Sequence, residues 1–404
     1  MQAIARGFKE LRGPESIEKL SAALAKSDAS KMSLQQITDI LSDLDPERDF
    51  SAYLFHLHAA LSRHRDSYEA LLSSTYLSHF CAFCDAGGSV SLSSAERELM
   101  YSVSRAVTDA CTKVKSFPHI SAAGQAICKF VSSSDRILGT ISQLHVDALQ
   151  LTLLGAAMSP KAQHTSILSA SLPIISDHIL FPFEESPASP HKSSLRVQEH
   201  VLAYFYYAGC VFCGLSNFEA AADRFFLCVS AGGQGIAQPR EHRESHGREQ
   251  AIASTHEIVD AALKKLVLAC LLSENDDLSC FKHISVPPVR HYNSSDDSLY
   301  SVFMSCRRGT GSMSALRQTI ERNHDVFERD GNLELVMRLQ DAFLLQTILA
   351  QSNTYAAVNV LELCRDLNLP DSVKIPDCIQ ALIDQARFQH VALCNTQLTL
   401  CRAS

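Results

Sequence analysis

Apolar residues recur at intervals of three and four along most of this 404-residue chain. One such run consists of Leu138, Ile141, Leu144, Ala148 and Leu149. This spacing places apolar side chains on one face of an α-helix. The same test predicts helices over residues 15–28, 33–45, 48–64, 67–84, 93–115 and 118–132. Because consecutive amphipathic helices bury their apolar faces against one another, we expect a mostly α fold, an α-solenoid of helical hairpins.

Three polar stretches interrupt the helical pattern. Residues 181–194 contain three prolines, residues 231–247 are rich in Gly, His and charge, and residues 275–298 include two adjacent prolines. Proline is costly inside a helix, so we predict loops or linkers at all three. The predicted organisation is a helical repeat region at 1–180, a Pro/Ser-rich linker at 181–196, helical hairpins at 197–297 with a Gly/His-rich loop at 231–250, and a C-terminal region at 298–404.

One segment has the small and aromatic positions of a tetratricopeptide-type repeat. The matching residues are Phe205, Ala208, Gly209, Phe212, Phe218, Ala221, Phe225 and Cys228. In such a repeat the small residues let two antiparallel helices approach, and the aromatic residues fill the groove between them. Gly233 stands where the pattern ends in proline. The segment predicts a helical hairpin.

Four further helices are predicted in the C-terminal region. The first carries Leu316, Ile320, His324 and Phe327 and ends at Gly331, a residue type that commonly terminates helices. The second has an apolar stripe of Leu333, Val336, Met337, Phe343 and Leu344. The third carries Ala357, Val360, Leu361 and Cys364, and a short fourth helix begins near Pro376.

The apolar period changes from 3.6 to 2 in the last residues, 388–401. A two-residue loop at Asn395 and Thr396 would set Leu393 opposite Leu398. It would also set Val391 opposite Leu400, on the same face of the sheet. We therefore predict a terminal β-hairpin, and the preceding helices together with this hairpin predict a winged helix.

Two C-x-x-C pairs could contribute to a zinc site, Cys81 with Cys84 and Cys210 with Cys213. The pairs lie far apart in the sequence, and both fall inside apolar helical stretches. Free cysteine is among the residue types most often buried. We predict buried, reduced thiols on packed helices, consistent with 14 cysteines in an intracellular protein.

Two groups of residues that contain histidine are candidate metal ligands. His56 and His58 are followed by Asp66 and Glu69, an arrangement that superficially resembles a metalloprotease motif. Residues two apart on a helix do not share a face, so this pair would not converge on one ion. A second group comprises His242, Glu244 and His246 in a polar stretch. We predict no metal and no cofactor at either group.

The motifs of the common enzyme classes are missing. The Gly-rich pieces at 231–235 and 307–312 lack the lysine and the preceding strand of a phosphate-binding loop. The chain also has no G-x-S-x-G sequence. We therefore expect a protein that is not an enzyme.

Charge and hydropathy argue against nucleic acid and membrane as partners. Lys plus Arg number 36 against 44 for Asp plus Glu, a formal net charge of −8, whereas phosphate backbones favour basic surfaces. The longest apolar stretch, 201–215, is shorter than the roughly 20 residues of a membrane span. The N-terminus has no apolar signal segment.

Four stretches resemble a known family: residues 204–226, 259–272, 323–336 and 386–400. With helical hairpins that end in a winged helix, they are similar to the PCI-domain scaffold subunits of large complexes. These complexes are the proteasome lid, the COP-nine signalosome and the translation initiation factor three complex, and the likeness to the signalosome is greatest. It covers roughly residues 200–404, with faint local similarity before residue 200.

The resemblance implies a non-catalytic scaffold in the cytoplasm and nucleus. The signalosome removes a ubiquitin-like modifier from cullin-RING ligases with a metalloprotease carried by another subunit. The implied partners are other PCI subunits and, indirectly, those ligases. PCI subunits also gather C-terminal helices into a bundle, and we expect no such helix here because the sequence ends at Ser404.

PCI subunits assemble through the edges of their winged helices. Strand backbones can pair at such an edge whatever the side chains. We predict that the contact is made by His390, Ala392, Cys394, Gln397 and Thr399.

Three alternatives stay open at this point. The chain could be a PCI subunit of the proteasome lid or of the initiation factor three complex. It could be a nucleic-acid export adaptor, for which the candidate basic residues are Lys113, Lys115, Lys129, Arg307 and Arg308. It could be a metal-dependent hydrolase acting through His56 and His58.

Overall fold

The structure is a computed structural model that describes most of the helical part of the chain and the terminal sheet. The described residues are 34–63, 68, 72, 74–87, 92, 94–133, 141–176, 190–236, 246–273, 300, 303, 313–354, 357–359, 388–394 and 397–402. These residues are mostly helical, which confirms the predicted fold class. They divide into two compact units, one with the described residues up to Ser216 and 246–255, the other with 217–236 and the described residues from 256 onward.

The first unit is built from consecutive helices. They are α1 (Leu34–Asp43), α2 (Phe50–Arg63), α3 (Ser74–Ala86), α4 (Ser94–Val114), α5 (Phe117–Ser133), α6 (Gln143–Met158), α7 (Lys161–Ser169), α8 (Leu172–Ser176) and α9 (Pro190–Gly214). The predicted helices from residue 33 to 132 are confirmed with small differences at their ends. The predicted helix at 15–28 lies outside the described residues.

Helix α6 lies at the centre of the first unit and contacts α4, α5, α7 and α9. Its residues are buried on all sides over most of its length, as expected for a helix enclosed by neighbours. It approaches α5 closely because Gly124 has no side chain: a Cβ there would lie 3.2 Å from Cβ of Leu151. The helix begins at Gln143 after the N-cap Ser142, so Ile141 precedes it and the prediction of one helical run from Leu138 is wrong for Ile141.

The second unit contains helices and the only sheet in the described residues. Its elements are α10 (Phe218–Ile236), the later part of α11 (His246–Leu272), α12 (Met313–Arg322), α13 (His324–Arg329), α14 (Leu333–Thr354), β1 (Ala357–Asn359), β2 (Phe388–Cys394) and β3 (Gln397–Arg402). The predicted first helix of this region is divided at Asn323 into α12 and α13. The predicted end at Gly331 is confirmed: its φ is 63°, the left-handed conformation that glycine adopts readily.

The three strands form an antiparallel sheet in the order β1-β3-β2. Leu393 is opposite Leu398 and Val391 is opposite Leu400, so the predicted hairpin and its register are confirmed. The predicted helix through Ala357 is wrong at its start, because Ala357–Asn359 form β1 and pair with β3. A three-residue strand has too few positions to show a period of 2. The rest of that predicted helix and the one near Pro376 lie outside the described residues.

Two loop predictions are wrong in part. Helix α9 begins at Pro190, so residues 190–194 are helical, and proline is well tolerated at the first helical position. Helix α10 continues through Gly233 to Ile236 and α11 begins at His246, which leaves only 237–245 of the predicted loop outside described helices. Residues 181–189 and 275–298 lie outside the described residues, and the predicted domain boundaries stay predictions.

Both helices of the predicted tetratricopeptide-type hairpin are present. Helix α9 ends at Gly214, α10 begins at Phe218, and Ser216 between them has φ 60°. None of the described helices is both long and apolar enough to span a membrane.

Candidate assembly interface

The terminal sheet contains all five residues predicted to form a contact edge. His390, Ala392 and Cys394 lie on β2, which pairs only with β3 among the described residues and is the edge strand of the described sheet. Gln397 and Thr399 lie on β3, the central strand, opposite Asn359 and Ala357 of β1. These two residues are not on an edge strand, because β1 occupies the side of β3 that a lone hairpin would leave open, and their contact with a partner stays a prediction.

The register also determines which backbone groups of β2 face outward. Cys394 and Gln397 close a two-residue loop, so they exchange hydrogen bonds with each other. Bonded and non-bonded pairs alternate along an antiparallel ladder, so Ala392 and His390 also direct their backbone groups toward β3. The outward N–H and C=O groups therefore belong to Val391 and Leu393. The predicted residues His390, Ala392 and Cys394 lie on this strand, and their neighbours Val391 and Leu393 direct their backbone groups away from β3.

This edge is short. The register of β2 shifts between Phe388 and His390, where β2 carries one residue more than β3. Such a bulge interrupts regular pairing and twists the strand. A partner strand would thus pair over the part of β2 between the bulge and the loop.

Helix α14 supports the sheet. It ends at Thr354, two residues before β1, and it contacts β3. Its inner face is formed by the buried residues Leu335, Val336, Leu339, Phe343 and Leu344. Met337, predicted to lie in the apolar stripe, is 41% exposed. The packed face fixes the rotation of α14 about its own axis.

A buried lysine holds the turn that precedes α14. Lys265 of α11 is 7% exposed, and its Nζ donates hydrogen bonds to Oδ1 of Asn332 at 2.6 Å and to the carbonyl of Gly331 at 2.9 Å. Nδ2 of Asn332 donates to the Tyr300 hydroxyl at 2.8 Å. These bonds join α11 to the turn at residues 330–332 through side chains with little access to water.

The neighbouring Lys264 reaches the same turn from a more exposed position. Its Nζ lies 3.0 Å from Oδ2 of Asp330 and 3.2 Å from Oδ2 of Asp260. Burial alone would lower the pKa of Lys264, but hydrogen bonds to the two carboxylates outweigh it and raise the pKa above its ordinary value. The Tyr300 hydroxyl also donates to Asp330 at 3.2 Å.

Three aromatic rings form the apolar base beneath this turn. Tyr300, Phe303 and Phe327 are buried, with ring centroids 5.7 to 5.9 Å apart. Neither this cluster nor Lys265 is predicted from the sequence. A usable signal was present, since two lysines interrupt the apolar run of residues 259–272 and Lys265 occupies the buried face.

Two of the histidines that are candidate metal ligands contact other side chains. His56 is buried in α2 beside Phe55, and burial lowers its pKa to about 4, so the ring is neutral at pH 7. Nε2 of His58 lies 3.1 Å from the Ser102 hydroxyl. Asp66, Glu69, His242 and Glu244 lie outside the described residues, and His246 is the first residue of α11.

The four C-x-x-C cysteines lie on helices, as predicted. Cys84 and Cys213 are buried, and Cys81 and Cys210 are half-buried. Burial, with a smaller effect of Asp85, raises the pKa of the Cys81 thiol to about 11, and burial also raises the pKa of the Cys84 thiol well above its ordinary value. Cys81 and Cys84 are therefore protonated thiols at neutral pH, which are poor metal ligands and poor nucleophiles.

One further group of candidate ligands lies on the surface. His324, Asp325 and Glu328 of α13 could reach a common ion, and they alone do so among the described residues. All three are exposed. Exposed acidic groups commonly occur without an ion, so this group does not define a metal centre.

A buried carboxylate in the first unit was also missed by the sequence analysis. Asp147 of α6 accepts hydrogen bonds from Oγ of Ser104 at 2.8 Å and Nε2 of Gln143 at 2.6 Å. Nη1 of Arg105 lies 3.4 Å from the carboxylate. Burial raises the pKa of Asp147 to about 6, although these hydrogen bonds and Arg105 act to lower it. The group joins α4 to α6.

Three of the candidate basic residues lie in the part of the chain that the structure describes. Lys113 and Lys115 are exposed, and Nζ of Lys129 lies 2.7 Å from the Asp85 carboxylate. Arg307 and Arg308 lie outside the described residues.

The chain is similar to curated proteins of one kind. A 197-residue alignment, 47% of this chain, is 21% identical to the COP9 signalosome complex subunit 3 of Drosophila melanogaster and covers 38% of that protein. A 240-residue alignment, 59% of this chain, is 20% identical to the subunit 3 of Dictyostelium discoideum and covers 48% of it. The chain thus spans less than half the length of these relatives.

A family model described as "COP9 signalosome complex subunit 3, N-terminal helical repeats" matches residues 14–237. This region includes the residues before 200, so the expectation of only faint similarity there is wrong for residues 14–199, whereas the expected likeness from residue 200 is confirmed up to residue 237. The resemblance of the four sequence stretches is greatest to the third signalosome subunit, and the comparisons agree with that assignment. Because the matched region is more than half of the chain, the protein belongs to the COP9 signalosome subunit 3 family.

Proposed function

We propose that this protein is a non-catalytic scaffold subunit of the COP9 signalosome. In this role it supports assembly of the complex that removes the ubiquitin-like modifier from cullin-RING ligases, while the catalytic site lies in another subunit. The match over residues 14–237 carries the proposal. The cytoplasm and the nucleus, where those ligases act, are its proposed locations.

We further propose that the C-terminal part of the second unit is a PCI winged helix. The order of its elements supports this: α14 leads into β1, a segment of about thirty residues follows, and the β2–β3 hairpin comes last. The pairing of β1 with β3 supports it too, since a strand before that segment then joins the hairpin in one sheet. The segment itself, 360–387, is predicted to contain the remaining helices.

The proposed contact is the addition of a strand from a sister PCI subunit to β2. The outward N–H and C=O groups of Val391 and Leu393 supply the hydrogen bonds, and an unpaired edge readily accepts another strand. His390, Ala392 and Cys394 belong to the same strand and hold it against β3. The partners that follow from this proposal are other PCI subunits.

A proline at position 393 tests the edge. Leu393→Pro removes one outward N–H and leaves the hydrogen bonds of Ala392 and Cys394 to β3 in place, and proline is tolerated on edge strands in that orientation. Leu393→Ala is the matched control, because it also removes the side chain but keeps the N–H. Each variant is tagged, and the sister subunits that co-purify are measured by quantitative mass spectrometry.

We expect Leu393→Pro to reduce recovery of sister PCI subunits about tenfold relative to Leu393→Ala, the effect of roughly one lost hydrogen bond and an unpaired partner group. Equal recovery from the two variants would contradict the edge contact. Recovery of proteasome-lid or initiation-factor subunits in place of signalosome subunits would assign the scaffold to a different PCI complex.

A further inference from the structure

The ammonium group of Lys265 occupies an unusual place for a buried charge. It lies at the turn that ends α13 and begins α14, and burial there removes it from water. Its hydrogen bonds to Asn332 and Gly331 compensate locally. An apolar residue could fill this buried helix position and would need no hydrogen bonds. We therefore infer that the lysine has a role beyond packing.

The geometry of α14 suggests that role. A helix of 22 residues is about 33 Å long, with the Lys265 contact at one end and the sheet at the other. A tilt of about 10° at the first turn would move the far end by about 6 Å, more than the roughly 4.8 Å between paired strands. A small change in the direction of α14 at the turn would thus move the sheet by more than the distance between neighbouring strands.

The other contacts of α14 do not replace the contact of Lys265 with the turn at residues 330–332. Helices α12 and α13 pack on it, and its buried face sets its rotation, but apolar packing permits sliding and tilting more readily than directed hydrogen bonds do. Lys265 is a buried residue that joins the start of α14 to a helix outside this group, α11. Lys264 also reaches this turn from α11, with a side chain that is 24% exposed, and it pairs with the carboxylate of Asp330.

We propose that Lys265 is a positioning residue that fixes the direction of α14 and thereby the place of the β2 edge. Its interaction with the 330–332 turn sets the register in which a partner strand meets Val391 and Leu393. The effect on partner binding rests on the proposed assembly function. The effect on the direction of α14 concerns this chain alone.

Lys265→Met is the test variant, because methionine fills a similar volume and removes the donors. Lys264→Met is the matched control, the same change one residue earlier on the same helix. Genetically encoded spin labels at Glu257, which is exposed on α11, and at Gln389 of β2 report the position of the sheet. Electron–electron double resonance gives the distance distribution, and tagged purification gives the recovery of sister subunits.

We expect Lys265→Met to broaden the distance distribution and to lower the recovery of sister subunits about tenfold, and Lys264→Met to change neither by more than about twofold. A narrow, wild-type distribution for Lys265→Met would overturn the inference, as would unchanged recovery. If the unaltered protein recovers no sister subunits, the assembly function fails, and the distance measurement alone decides whether Lys265 positions the sheet.

Should Lys265→Met fail to accumulate as a folded protein, Asn332→Ser takes its place. This variant removes the Oδ1 that accepts the 2.6 Å hydrogen bond from Nζ of Lys265, keeps a residue type suited to the start of a helix, and leaves the packing of Tyr300 with Phe303 and Phe327 in place. A broadened distribution with reduced recovery supports the proposal. A wild-type distribution in folded Asn332→Ser overturns it.

Discussion

The carboxylate of Asp147 accepts a 2.8 Å hydrogen bond from Oγ of Ser104, 43 residues earlier in the chain, in the buried contact between α6 and α4. Burial raises the pKa of Asp147 to about 6, above its ordinary 3.8. The folded protein therefore holds this proton more tightly than the unfolded chain does. Ionisation of Asp147 consequently lowers the free energy of unfolding as the pH rises from about 4 to about 6.

The Asp147→Asn variant should remove this pH dependence. Asparagine keeps the shape and can still bond to Gln143 and Ser104 without becoming charged. We expect the variant to gain about 2–3 kcal/mol relative to the wild type between pH 4 and pH 7. Urea unfolding at several pH values measures it. Asp109→Asn, an exposed carboxylate that pairs with the same Arg105, is the control and should show little change.

Much of the fold could be predicted because burial leaves a periodic trace in the sequence. The helices from α1 to α5 and the hairpin register around Leu393 and Leu398 follow directly from apolar spacing. Helix α6 is enclosed on all sides, so its apolar residues do not mark one face and its start was misplaced. The strand β1 was missed because three residues are too few to show a period of 2 and the pairing depends on a distant segment.

Substitution of Gly331 tests the effect of backbone conformation on stability separately from side-chain packing. Its φ is 63°, and nothing lies within 4 Å of the position that a Cβ would occupy. Gly331→Ala should therefore destabilise the second unit by about 1–2 kcal/mol, since the left-handed conformation disfavours a side chain. Gly331→Asn should destabilise it less. Thermal unfolding of both variants measures the difference, and equal stability of Gly331→Ala and the wild type would contradict the assigned cap.

Zinc content tests the metal-dependent hydrolase alternative. The neutral, buried ring of His56 and the contact of His58 with Ser102 do not form a common ligand set. Protein purified from zinc-supplemented medium should contain far less than one equivalent by elemental analysis. A chelator should leave its melting temperature unchanged. One equivalent of zinc that disappears in a His56→Phe, His58→Gln double variant would support the hydrolase.

Removal of residues 388–404 tests whether the hairpin is needed for assembly only. The first unit has its own buried core and contains no part of the sheet, so the truncated chain should keep its helical circular dichroism. Recovery of sister PCI subunits should be abolished. A truncated protein that still recovers them at wild-type levels would show that the sheet is not the contact.

The contact residues stay a prediction, and the structure adds where they lie in the sheet. The sequence predicts the hairpin, of which β2 lies at one edge of the described sheet. It could not show that β1 covers β3, because that pairing joins residues 357–359 to 397–399 across an intervening segment. Lys265 and Asp147 were missed for a related reason: a buried charge is recognised by its partners, and Asn332 and Ser104 are distant in sequence.

The most direct test of the scaffold assignment is purification of the tagged, full-length wild-type protein from its own cells, with quantitative mass spectrometry of everything that accompanies it. We expect the other signalosome subunits in near-equal amounts, including one that carries the metalloprotease site. Recovery of this chain alone, or with nucleic acid that dissociates as salt is added, would contradict the scaffold assignment.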